Sequence, residues 1–61
     1  MKVTVEYIRG SERISNTYFY VIKIDYDPVN VQLIQDQQIS GLPAAHILRM
    51  IIEDDPDVLI F

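Results

Sequence analysis

Four carboxylates fall within five residues at Glu53-Asp54-Asp55-Pro56-Asp57, the densest cluster of chemistry-bearing side chains in the chain. Such a cluster suits a cation or the basic surface of another protein. It equally suits a solubilising role beside an apolar segment. An EF-hand is excluded, because that loop alternates its oxygen ligands around a central glycine and neither feature is present. Asp25 and Asp27 flank Tyr26 just ahead of Pro28, a turn composition in which carboxylates usually serve the backbone. His46 is the only histidine and there is no cysteine, so no zinc set can be assembled and proton transfer lacks an oriented partner. The Walker loop, G-x-G-x-x-G, G-x-S-x-G and H-E-x-x-H are all missing. We therefore expect no catalytic residue, no metal, no cofactor and no enzymatic activity.

Tyr18, Phe19, Tyr20 and Tyr26 stand close together with Lys23 nearby, a composition shared with the stacking platforms of single-strand nucleic-acid binders. Lys2, Arg9, Arg13 and Lys23 would supply the charge for such a role. A sequence pI of about 4.5 argues against it, since affinity for phosphates comes mainly from basic surface.

The elements that position these residues follow from periodicity. Val3, Val5 and Tyr7 alternate with Lys2, Thr4 and Glu6, which predicts a strand over about residues 2–8. The polar stretch from Arg9 to Asn16 reads as a hairpin loop. Residues 17–26 read as one long strand, with Tyr18, Tyr20, Ile22, Ile24 and Tyr26 on one face and Phe19 and Val21 on the other. Asp27-Pro28-Val29-Asn30 fits a type I turn. Residues 30–36 are expected to form a third strand, although Pro28 and the run of glutamines would also suit a helix over 28–38. Pro43 looks like the first residue of a helix that ends near Asp54, where Asp55-Pro56-Asp57 stops it. Val58-Leu59-Ile60-Phe61 is expected to form a short terminal strand or to tuck under the core.

The expected fold is thus α+β: a three-stranded antiparallel meander, one α-helix across it and a short C-terminal strand. With 61 residues the chain has room for one small domain, 1–61, and sits near the lower limit at which a core sustains itself. No apolar run approaches the ~18 residues that read as a membrane span. The alternating start of the chain is unlike a signal peptide, so the expected location is cytoplasmic.

Charge and apolar surface carry the functional expectation. Residues 1–23 hold Lys2, Arg9, Arg13 and Lys23 against Glu6 and Glu12, a surplus of positive charge. Residues 24–61 hold seven acids against Arg49 alone, within a net charge of −4. Ile47, Leu48, Met50, Ile51 and Ile52 would cover more of a helix than one sheet can bury, and Phe19 and Val21 oppose the tyrosine row. Surplus apolar surface of this kind marks interaction sites. The expected function is a non-enzymatic protein-binding module, a small acidic inhibitor or adaptor of the size and charge common among viral and mobile-element proteins, acting as a homodimer. Its acidic patch is Glu53, Asp54, Asp55 and Asp57. Its apolar contacts are Phe19, Val21, Met50, Ile51, Ile52 and Phe61. The partners are a second copy and a protein with a basic surface, with single-stranded nucleic acid the alternative.

Overall fold

The computed structural model describes residues 1–55, and it is built almost wholly of strands. β1 (Lys2–Arg9), β2 (Glu12–Tyr18), β3 (Lys23–Tyr26), β4 (Asn30–Gln35), β5 (Gln38–Pro43) and β6 (Ile47–Glu53) follow one another, with a single 3-10 turn, Ala44–His46, before β6. They form two three-stranded antiparallel sheets, ordered β2-β1-β6 and β3-β4-β5. The α+β expectation is overturned: the described residues hold no α-helix. Residues 43–54, expected to be helical, instead end β5, make the 3-10 turn and run on as β6. The expected terminal strand at 58–61 lies outside the described residues.

Alternation predicts β1 and β4 correctly for a simple reason. Side chains along a strand project to opposite faces in turn, so Val3 and Val5 of β1 and Val31 and Leu33 of β4 enter the interior while their neighbours stay outside. Together with Val21 they make one buried cluster that draws on both sheets, flanked by Met1, Tyr7, Tyr18, Ile24, Leu42, Ala44, Ile47 and Met50. The two sheets therefore share one core. Residues 30–35 resolve as strand, in line with the preferred reading over a helix.

The hairpin loop is shorter than the polar stretch suggests. Only Gly10 and Ser11 separate Arg9 from its partner Glu12, and Gly10 adopts φ 64°, as the first central residue of a type II′ turn must. Glu12 to Asn16, expected in the loop, belong to edge strand β2, where Glu12, Arg13, Ser15 and Asn16 are exposed and Ile14 is half-buried.

The predicted long strand 17–26 breaks between Tyr18 and Lys23. Before the break the chain pairs with β1, Tyr18 opposite Val3. After it the chain pairs with β4, beginning with the Ile22 N–H donating to the Ile34 carbonyl at 2.7 Å. Such bends are how a strand passes from one packed sheet to the next. Tyr20 makes the bend by adopting φ 55°, the one non-glycine residue with positive φ among the described residues, and the turn of the chain drives Val21 inward to 2% exposure.

Candidate functional site

Among the described residues, Asp27 and Asp55 are the two carboxylates that accept backbone N–H groups. Asp27 Oδ1 accepts from the N–H groups of Val29 (2.7 Å) and Asn30 (2.6 Å), so the expected turn forms around a side-chain cap. The Asn30 N–H, then the Val29 N–H, hold this carboxyl below its ordinary pKa against a small opposing effect of burial. Asp55 Oδ2 accepts from the Met1 ammonium at 2.8 Å, and its Oδ1 accepts from the Tyr20 N–H at 2.8 Å. The Met1 amine is the main cause of its depressed pKa; burial opposes it and the Tyr20 N–H adds to it. Met1 also exchanges backbone bonds with Val21, at 2.7 and 2.8 Å. Asp55 thus ties the strand start and the sheet-to-sheet bend together.

That bond changes how the acidic patch can be read. Glu53 lies opposite Lys2 in the β1–β6 ladder, 3.9 Å from its Nζ. Asp54 is exposed, and Asp57 lies outside the described residues. Arg49 donates to Glu6 at 2.9 Å. The positive and negative halves seen in the sequence are therefore interleaved on this sheet, and they do not form separate poles there. One of the four patch residues is engaged within the chain, and a second faces a lysine.

The apolar candidates divide in three ways. Val21 is consumed by the core and offers no surface, because the bend at Tyr20 turns it inward. Phe19 stays 45% exposed with the Lys2 ammonium 5.8 Å from its ring centroid, and its carbonyl accepts from Gln35 Nε2 at 2.7 Å. Met50, Ile51 and Ile52 lie together on β6. Pairing of Val5 with Met50 and Val3 with Ile52 puts those two on the core side, whereas Ile51 stands opposite Thr4 on the outer side. Met50 reaches the core, and Ile52 remains 53% exposed. Phe61 lies outside the described residues.

β6 is an edge strand among the described residues, with β1 on one side. Its sequence, Ile-Leu-Arg-Met-Ile-Ile-Glu, is mostly aliphatic. Reading this segment as a helix hid what matters about it: the strand offers a row of backbone N–H and C=O groups as well as side chains. Its isoleucines at 47, 51 and 52 are the signal that favours a strand.

The aromatic row has no continuous face. Tyr18 closes β2 half-buried, Tyr20 occupies the bend and Tyr26 ends β3 on the other sheet. His46, within the segment expected to be helical, is exposed in the 3-10 turn, while Arg49 and Glu53 project from β6. No group of three or more metal-ligating side chains and no cavity occurs among the described residues, and none of their helices is long and apolar enough to cross a membrane. No family model, curated protein or solved structure matches the chain.

Proposed function

We propose that this protein is a non-enzymatic protein-binding module that works as a homodimer and presents an acidic, aliphatic surface to a second protein with a basic face. The observation that carries the reading is β6: a seven-residue, largely aliphatic strand at the edge of its sheet among the described residues. Long apolar edges invite pairing with another chain, and proteins that leave them bare usually blunt them with proline, several lysines or a bulge that twists the edge away. β6 carries one arginine, and its register irregularity falls near its start, opposite Glu6 and Tyr7. Association also suits the size of the chain, since a domain of 61 residues gains buried area from a partner that its own core cannot supply.

Sedimentation equilibrium from micromolar to millimolar protein tests the dimer, with self-association expected within that range and a monomer at millimolar concentration overturning it. The basic partner rests on the net charge of −4 and on Asp54, with Asp57 as the further candidate. Titration with a lysine- and arginine-rich peptide at two salt concentrations should show binding that weakens with salt. Absence of binding at low salt removes that half of the reading. The tyrosine-face alternative loses its main support with the break in the aromatic row.

A further inference from the structure

We infer that the second copy docks on β6 itself, antiparallel about a two-fold axis through Ile51, joining two three-stranded sheets into one of six strands. This rests on the homodimer reading above and specifies its surface and register. The argument begins with the backbone. Met1 exchanges both of its backbone-to-backbone bonds with Val21, and bonding direction alternates along a strand. Val3 and Val5 therefore bond towards β2, and Lys2, Thr4 and Glu6 towards β6. Their partners Glu53, Ile51 and Arg49 spend their groups on β1, which leaves those of Met50 and Ile52 directed outward.

A two-fold axis through Ile51 sets Met50 of each copy opposite Ile52 of the other, so the outward groups satisfy one another. In the same register Ile51 meets Ile51, and Arg49 of each copy stands opposite Glu53 of the other. These are the non-hydrogen-bonded positions, where directly opposed side chains come closest. Arg49, Ile51 and Glu53 all lie on the outer side, opposite Glu6, Thr4 and Lys2. The outer face would then read Glu6, Arg49, then Glu53 and Lys2 of the second copy, with signs alternating across four strands. Within each copy the flanking pairs already exist, Arg49 to Glu6 at 2.9 Å and Lys2 to Glu53 at 3.9 Å. Opposite charges directly across a ladder favour a register and like charges disfavour it. β6 is complementary to itself in this register, and that selects a second copy over an unrelated strand.

Reversing one charge at a time tests the register. In Arg49→Glu, glutamate faces Glu53 of the second copy twice per dimer; in Glu53→Arg, arginine faces Arg49 twice. Each variant alone should dimerise about tenfold or more weakly than wild type. Mixed in equal amounts, they should form a heterodimer of near wild-type affinity, because the two charge pairs between unlike chains are again opposite. Native mass spectrometry with one variant isotopically labelled reads this directly, and amide spectra establish that each variant remains folded. Arg13→Glu, on the far edge strand β2, should leave the dimer unchanged. A wild-type dimer whose single variants associate normally, or whose mixture fails to recover, overturns the β6 register and leaves the dimer standing. A wild-type monomer overturns both. If the chain's own residues 56–61 cover β6, the single variants and their mixture will all match a wild-type monomer.

Discussion

The Asp55 carboxylate accepts the Tyr20 N–H at 2.8 Å across 35 residues of sequence. It meets the backbone at the one described non-glycine position with positive φ, where the chain passes from the first sheet to the second. Since the same carboxylate holds the Met1 ammonium, replacing it with an amide removes the ion pair and leaves one oxygen for two donors. Asp55→Asn should lower the urea midpoint with an unchanged slope, while Asp54→Asn, at an exposed neighbour, leaves the midpoint where it was.

Acid sensitivity follows from the same residue and from Asp27. Both carboxyls have folded-state pKa values below the ordinary aspartate value, which is about 3.9. The unfolded chain therefore binds more protons than the folded one as pH drops through that range. Their stabilisation is complete above the unfolded value and is lost as pH falls below about 4 towards the folded values. Urea midpoints measured from pH 6 to pH 2.5 should fall over the acid part of the range. The fall should be shallower in the Asp27→Asn, Asp55→Asn double variant, whose amide at 27 can still accept from the turn but does not titrate.

Tyr20 offers a test of the bend. Left-handed backbone costs a residue with a Cβ roughly 1–2 kcal/mol, most severely when that residue is β-branched. Tyr20 already bears that cost, so Tyr20→Ile should destabilise only by the further strain that β-branching adds, and Tyr20→Gly should match or exceed wild type. Equal loss in both variants would mean that the exposed tyrosine ring, rather than the backbone, is what the position requires.

Core and surface aliphatics should separate cleanly. Leu33 is fully buried and Ile39 is 64% exposed. Leu33→Ala is expected to cost about 2–5 kcal/mol, enough to unfold a chain this small. Ile39→Ala should stay within about 0.5 kcal/mol of wild type. Chemical denaturation of the two variants checks both values.

The strands that could be read from the sequence were those whose alternation is local. β1 and β4 each place two aliphatics inward between polar neighbours, and Asp27 ahead of Pro28 signals its turn without help from elsewhere. β6 could not be read that way: six residues with one arginine among aliphatics fit a buried helix and a strand alike. What decides it is non-local. Lys2 and Glu6 of β1 match Glu53 and Arg49 in register, and the pairing becomes visible only when the two strands are laid side by side. Pro43, which suggested a helix start, closes edge strand β5 opposite Asn30, where a missing N–H is tolerated. The break at residues 19–22 leaves no mark in composition either, because the bend falls on a tyrosine where glycine or asparagine would be the usual sign. That hidden bend is why Val21 looked like surface and is core.

Amide hydrogen exchange at Met50 and Ile52 measures the central claim at its own atoms. If a second copy pairs with β6, these two N–H groups are protected at millimolar protein and exchange faster on dilution, while Val3 and Leu33 show no such dependence beyond that of global stability. Rapid exchange of Met50 and Ile52 at every concentration, or protection that dilution does not change, would contradict it.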